Sequence, residues 1–145
     1  MLKAHTDSLF RLDPAARIII MGDLNDEPSD TSIARVLGAR EVPAKSYKTA
    51  GLYNVMYPRF RNGEGTLFYK DWDLFDQFIV SGSLLKKSRG RAASIADPYA
   101  WIFKAPWLLY KNRSGEYVPN RTAGSRDYFG GYSDHLPVYL RLNLR

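Results

Sequence analysis

An apolar run followed at once by polar residues most limits the folds open to this chain. Residues 17–21 read Arg-Ile-Ile-Ile-Met, and Gly22-Asp23-Leu24-Asn25 follows directly. β-Branched residues without polar alternation are typical of a strand that is covered on both faces. We therefore expect a buried strand in an α/β sheet, with Asp23 and Asn25 at its carboxyl end, where such sheets bind ligands.

Two helices are predicted, one before this strand in the sequence and one after it. Residues 2–11 read as an amphipathic helix that ends before Pro14. Its predicted inner face comprises Leu2, His5, Leu9 and Leu12. A second helix begins with Ser29 or Asp30 as N-cap and runs to about residue 37, where Gly38 ends it.

Three further strands are predicted later in the chain. Residues 66–70 and 75–81 are short runs rich in aromatic and β-branched residues, and residues 137–144 alternate in polarity. The apolar side of this last strand consists of Val138, Leu140, Leu142 and Leu144. Residues 82–128 are the least regular. With no internal repeat or linker, residues 1–145 are predicted to form one compact α/β unit.

Net charge indicates the kind of partner. The chain has 21 Lys and Arg against 15 Asp and Glu, a formal net charge of +6. Such a balance suits a phosphate-bearing partner through long-range attraction, although a solvated basic surface explains it equally well. The lack of cysteine excludes disulfides and thiolate metal sites. No apolar run approaches the ~18 residues that a membrane span needs, and the localisation stays open.

The first candidate site follows the apolar run. Asp23 and Asn25 are two positions apart, so on an extended segment their side chains point the same way. A carboxylate and an amide that project together suit holding a hard cation, orienting a water or stabilising an oxyanion. The alternative is an Asx-turn that closes the strand.

The second candidate is a carboxylate within an apolar strand. Asp76 shares a strand face with Phe78 and Val80, and burying a carboxylate is costly unless it is paired. A histidine is the natural partner. The alternative is a solvated strand edge for Asp76, and Asp73 is expected in the turn before the strand.

The third candidate is Ser133-Asp134-His135, which follows Gly130-Gly131 and precedes a strand. Adjacent loop residues can face different ways, so Asp134 could reach a metal or water while His135 contacts a phosphate oxygen. The alternative is a loop histidine without a role. The other histidine, His5, is expected to be a packing or surface residue of the first helix.

Together these segments resemble the endonuclease/exonuclease/phosphatase family, the deoxyribonuclease-I-like fold. Gly22-Asp23-Leu24-Asn25 is similar to its G-D-x-N motif, and residues 75–81 to its aspartate-bearing strand. Residues 133–138 are similar to its C-terminal S-D-H motif. Residues 22–28, 65–70 and 119–122 most resemble a bacterial subgroup of uncharacterised members.

The resemblance implies a role for each matched residue. Asp23 would position or deprotonate the attacking water, and Asn25 would orient it or stabilise transition-state charge. Asp76 would hold the imidazole of His135, which would hydrogen-bond the scissile phosphate. Asp134 would help to hold a divalent metal, Mg²⁺ with Mn²⁺ as a possibility, because oxygen ligands favour these ions over zinc.

One departure from the family bears on the whole domain. The family's first half supplies an asparagine, a metal-binding glutamate and a further histidine or tyrosine before the G-D-x-N motif, which here begins at residue 22. The resemblance therefore implies that residues 1–145 are the C-terminal half of a four-layered α/β sandwich, with one mixed, mainly antiparallel sheet and few helices. Because its inner sheet face would be exposed, the chain is expected to pair with the missing half, to self-associate or to pack poorly alone.

Two functions are therefore expected, and a structural protein comes third. The first is part of a Mg²⁺-dependent phosphoesterase that cleaves a phosphodiester or phosphomonoester by direct water attack and is inactive as this fragment. The second is a non-catalytic relative that binds phosphate or nucleic acid through the basic, aromatic residues 89–128. Alternatively, the aromatic residues of this stretch pack in the core or in a lid. The substrate is not identified by the motifs, which read only the phosphate.

Overall fold

The computed structural model of the protein describes residues 1–86 and 92–144, so Arg89 and Arg91 of the basic stretch lie outside the described residues. The helical elements are α1 (Leu2–Leu12), α2 (Tyr57–Arg61), α3 (Gly82–Leu85), a π-helical segment (Thr31–Leu37) and a 3₁₀ turn (Pro106–Leu108). The strands are β1 (Ile19–Asp23), β2 (Arg40–Glu41), β3 (Leu52–Asn54), β4 (Leu67–Phe68), β5 (Trp72–Asp73), β6 (Asp76–Ser81), β7 (Ser94–Ile95), β8 (Trp101–Ile102), β9 (Leu109–Lys111), β10 (Tyr117–Pro119), β11 (Val138–Tyr139) and β12 (Leu142–Asn143).

One four-stranded sheet positions the rest of the fold. Its order is β1-β6-β3-β2, with β6 antiparallel to both neighbours and β2 parallel to β3. The prediction of a mixed, mainly antiparallel sheet with few helices is confirmed. The prediction of one sheet is wrong, because the other described strands form four separate pairs, β4–β5, β7–β12, β8–β11 and β9–β10. The four-layered sandwich and the assignment as a C-terminal half stay predictions.

The four-stranded sheet has a core on each face. On one face Phe78 and Val80 of β6 pack with Leu84 of α3 and with Ile95 of β7, and residues of β8 and β11 border this cluster. On the other face Ile79 packs with Ile33 and Leu37 of the π-helical segment, next to Phe10 of α1. β6 is therefore covered on both sides, which explains its nearly unbroken apolar sequence.

Strand β1 was predicted to be covered on both faces, and that prediction is wrong. It is an edge strand of its sheet, and Ile19 and Met21 are 37% and 69% exposed on the face that they share with Phe78. Only the side of Ile20 joins a core. Since an edge strand and a central strand can both read as apolar runs, the sequence did not show which one this was.

The predicted helices exist, but two details differ. In α1, Thr6 is buried and Phe10 packs against a core, whereas Leu2 and Leu12 of the predicted inner face are exposed. The second helix has the predicted limits, from N-cap Asp30 to Gly38 at φ +77°, but it is π-helical. No helix of residues 1–86 and 92–144 is long and apolar enough to cross a membrane.

Two strand predictions are also corrected. Asp73 lies in β5 and not in a turn, because β5 folds back on β4. The last predicted strand is split into β11 and β12; Val138 and Leu140 pack against the core, whereas Leu142 and Leu144 are exposed.

Candidate functional site

The carboxylate of Asp76 contacts the imidazole of His135, as the sequence predicted. His135 Nδ1 lies 2.6 Å from Asp76 Oδ2, and the two side chains are 25% and 19% exposed. A carboxylate only accepts hydrogen bonds, so the contact requires a proton on Nδ1. Nε2 is then the ring nitrogen that a ligand can use.

Backbone pairing fixes both members of this pair. Leu136 N–H donates to the carbonyl of Thr66 at 2.8 Å, and Asp76 N–H donates to Thr66 Oγ1 at 3.2 Å. Leu67 of β4 forms an isolated bridge with His135. One end of β4 therefore holds residue 76 and residue 135 together, although they are 59 positions apart.

Asp23 lies opposite Asp76. The two residues are direct partners in the antiparallel pair of β1 with β6, so their side chains share one face. Like charges in such a pair repel each other. The site thus contains two carboxylates and one imidazole at the end of the central sheet.

Asn25 does not project alongside Asp23 on an extended segment, and that prediction is wrong. Asn25 has φ +51°, and its backbone N–H donates to Asp23 Oδ1 at 2.9 Å. This is the Asx-turn that the sequence left open as the alternative. Both side chains are exposed, so each can still meet a ligand from solvent.

A buried amide network anchors the loop that carries these residues. Gln77 Nε2 donates to the carbonyls of Asp26 and Leu74, and Gln77 Oε1 accepts from Asn54 Nδ2 at 2.6 Å. Asn54 Oδ1 in turn accepts the N–H of Met56 at 3.0 Å. Because every amide group has a partner, burial is tolerated and the loop is fixed to β6.

Glu27 continues the same loop and is electrostatically perturbed. Burial raises the pKa of this carboxyl above its usual value, and the charges of Asp73 and Asp30 act in the same direction. The N–H of Leu74, which donates to Glu27 Oε1, lowers the pKa and offsets part of this effect.

Asp134 faces a different environment from His135, as expected for adjacent loop residues. Its side chain is 53% exposed, and its Oδ2 lies 3.9 Å from a guanidinium nitrogen of Arg121. It also lines a cavity of about 680 Å³, together with Arg121, Asn120, Phe68, Tyr69 and Lys70. The candidate site therefore continues from the Asp76–His135 pair into an open cavity.

A family model described as Endonuclease/Exonuclease/phosphatase family matches residues 1–144. The chain belongs to this family. Comparisons with curated proteins and with solved structures gave no match. Family membership indicates a hydrolase of the nuclease or phosphatase type, and members of the family generally depend on a divalent metal.

The residues that the structure describes do not by themselves fit the family's metal. Among residues 1–86 and 92–144, no three carboxylate or imidazole groups converge so that they could hold an ion. Asp134, the expected ligand, faces the Arg121 cation instead. The Mg²⁺ site therefore stays a prediction, and the described residues supply only part of it.

Three residues that shape the candidate site were not predicted as site residues from the sequence. Thr66 joins Asp76 to the segment of His135, Arg121 pairs with Asp134, and Lys70 borders the cavity with φ +115°. All three lay in stretches already noted for their resemblance to a bacterial subgroup of the family, residues 65–70 and 119–122. Nothing in the sequence indicates a left-handed backbone at Lys70, since glycine is the usual residue there.

Proposed function

We propose that this chain supplies the acid–base and phosphate-binding groups of a phosphoesterase that cleaves a phosphodiester or phosphomonoester by direct water attack. The observation that carries the proposal is the 2.6 Å contact between His135 Nδ1 and Asp76 Oδ2. A carboxylate that fixes one tautomer leaves the other ring nitrogen directed to a reacting group. Asp23, opposite Asp76, adds the second carboxylate.

In the proposed reaction each residue has one task. A water oxygen forms a bond to phosphorus while the bond to the ester oxygen breaks. Asp23 positions the water and accepts its proton, and the departing ester oxygen takes up a proton from solvent. His135 donates a hydrogen bond from Nε2 to a phosphate oxygen as the imidazolium, the form with a proton on both ring nitrogens, and Asp76 holds the ring. Asn25 would orient the water from the turn that it forms with Asp23. Asp134 would contribute one ligand to a divalent metal, with the other ligands supplied from beyond the described residues.

The runner-up is a relative that binds phosphate without cleaving it. The observation that favours it is the pairing of Asp134 with Arg121, which places a cation where a metal would be expected. Salt-dependent binding that survives His135→Ala, with no hydrolysis in any form of the protein, would favour this reading.

The test is Mg²⁺- or Mn²⁺-dependent hydrolysis of bis(4-nitrophenyl) phosphate. The chain of 145 residues is assayed beside the same chain joined to the upstream sequence of its reading frame. The shorter chain is expected to be inactive, because its described residues do not complete a metal site. The longer one is expected to turn over and to lose about 10²–10⁴-fold in rate on His135→Ala.

Two results would count against this proposal. If the longer polypeptide hydrolyses the substrate at the same rate with and without His135→Ala, the imidazole takes no part in the reaction. Turnover by the chain alone that depends on His135 would show that no further ligands are needed. His5→Ala is the matched control, since it removes the only other histidine, which is exposed on α1.

A further inference from the structure

The cavity that Asp134 lines has the size and position of a substrate subsite. Its volume of about 680 Å³ lies within the range of about 300–1,000 Å³ that is typical of small-ligand sites. Phe68, another lining residue, directly follows Leu67, which bridges His135. A group bound here would therefore be joined to a phosphate at His135 over a short distance. This inference rests on the proposed function and names its substrate.

Exposed aromatic rings form much of the cavity wall. Tyr69, Tyr110 and Phe129 line it and are all exposed. Within the described residues, neither Tyr110 nor Phe129 forms an aromatic pair with another ring. The ammonium of Lys70 lies over the Tyr69 ring, 5.7 Å from its centroid. The stacking surface is therefore argued from Tyr110 and Phe129, since a planar heterocycle stacks well on exposed rings.

Cations stand beside these rings. Lys70 and Arg121 line the same cavity, against the single lining carboxylate of Asp134, so the wall has a net charge of about +1 at neutral pH. Asn120 adds an amide that can both donate and accept hydrogen bonds. Stacking surfaces, cations and an amide together match a base with its phosphate better than they match an acyl chain.

The backbone at Lys70 supports a role for its side chain. Lys70 lies in the three-residue connection between β4 and β5 at φ +115°, where side chains are rarely found and strain costs about 1–3 kcal/mol. Glycine would form this turn more easily. A lysine in a strained turn that lines a cavity points to a function for its charge.

We propose that this cavity binds one unstacked base of a single-stranded polynucleotide, while Lys70 and Arg121 bind the adjacent phosphate. The substrate of the phosphoesterase is then an unpaired nucleic acid strand. A duplex is disfavoured, because a base must leave its stack before its faces can stack on the rings of the cavity.

The β9–β10 hairpin offers a matched pair of variants for the test. Tyr110 pairs with Val118 and both line the cavity, whereas Tyr117 pairs with Lys111 on the other face of the same hairpin and does not line it. Tyr110→Ala and Tyr117→Ala thus remove the same ring from opposite faces. Tyr110→Phe keeps the ring and serves as the rescue.

The experiment measures binding of a fluorescently labelled 12-nucleotide single strand by anisotropy in EDTA, so that no hydrolysis is required. Tyr110→Ala is expected to weaken binding about five- to hundredfold, and Tyr110→Phe and Tyr117→Ala to leave it within about twofold. Lys70→Gln is expected to weaken binding and to reduce the slope of log affinity against log salt by about one.

Several results would overturn the proposal. These are no binding at low salt, equal losses in Tyr110→Ala and Tyr117→Ala, and equal affinity for a duplex of the same length. Tyr110-dependent binding to vesicles of an anionic phospholipid, without binding of the oligonucleotide, would assign the cavity to a lipid instead. Because binding is measured without turnover, an inactive protein that binds the strand in this pattern would refute the proposed hydrolysis and not the base site.

Discussion

The imidazole of His135 is the residue whose environment is best determined. Asp76 accepts from its Nδ1, Ser133 Oγ accepts its backbone N–H at 3.1 Å, and Thr66 holds the next residue through a backbone hydrogen bond. A ring held at both side chain and backbone has lost most of its freedom before any substrate binds. Such preorganisation lowers the cost of binding a phosphate in one orientation.

Removing the carboxylate should free the ring. In Asp76→Ala, the Nδ1 proton of His135 is expected to lose its hydrogen bond and exchange rapidly, so that its signal disappears from the proton–nitrogen NMR spectrum of the ring. The free energy of unfolding should fall by about 1–3 kcal/mol, because the imidazole is left without its partner. His5, the only other histidine, provides an internal reference in the same spectrum. An unchanged His135 signal in the variant would show that Asp76 does not hold the ring.

Glu27 predicts a pH dependence of stability. Its pKa is raised in the folded protein, first by burial, so the folded state favours the protonated form. This contribution is fully present below the unfolded pKa, near 4.5, and is lost as pH rises through the higher folded pKa. Glu27→Gln, which stays neutral and can still accept from Leu74, should gain stability relative to wild type as pH rises from 4 to 7. Urea unfolding at each pH measures the difference, and a constant difference would contradict the assignment.

At the scale of elements, the segment before His135 is positioned by a close backbone contact. A Cβ on Gly131 would lie only 1.9 Å from the carbonyl oxygen of Asn120, which also accepts from Ser133 N–H. Gly131→Ala must therefore separate these two segments. The loss in the free energy of unfolding should exceed about 2 kcal/mol, as in other overpacked sites, and the Asp76–His135 contact should weaken.

Gly63→Ala is the control for this substitution. A Cβ at Gly63 meets no atom within 4 Å, although its φ of +68° carries strain. The expected cost is therefore only about 1 kcal/mol. If urea unfolding shows equal losses of stability in the two variants, the close contact with Asn120 is not the reason that position 131 excludes a side chain.

The elements also show what the sequence could and could not predict. Local signals were sufficient for the limits of α1, for Asp30 and Gly38 around the π-helical segment, and for β6. The cost of burying a carboxylate predicted a histidine partner for Asp76, and the family resemblance implied that this partner is His135. The edge position of β1, the turn at Asn25 and the pairing of Arg121 with Asp134 did not follow, because each depends on segments distant in sequence or on a backbone angle that residue type does not fix.

At the scale of the whole molecule, the uncovered side of β1 predicts association. Ile19 and Met21 are exposed on the face that also carries core residues, and within the described residues β6 is the only strand that pairs with β1. An open edge with apolar side chains is a template for another chain. Sedimentation at increasing concentration is expected to show self-association, and Ile19→Lys with Met21→Lys should abolish it.

A variant on another surface controls for added charge. Leu12→Lys also places a lysine at an exposed apolar residue, but on α1 and not on this strand. It should leave association unchanged. A wild-type chain that stays monomeric at all concentrations would remove the edge of β1 as an interface.

The packing of Trp107 has an optical consequence. This indole is exposed, and its ring centroid is 5.1 Å from that of Tyr132, which directly precedes Ser133-Asp134-His135. Trp72 and Trp101, the other two indoles, are only partly exposed and lie under Lys104 and Arg59. Acrylamide, a neutral quencher that these cations do not attract, should therefore quench Trp107 first, and the quenchable part of the emission should change when the loop of His135 moves. The protein thus carries its own fluorescent reporter beside the candidate site, with no label added.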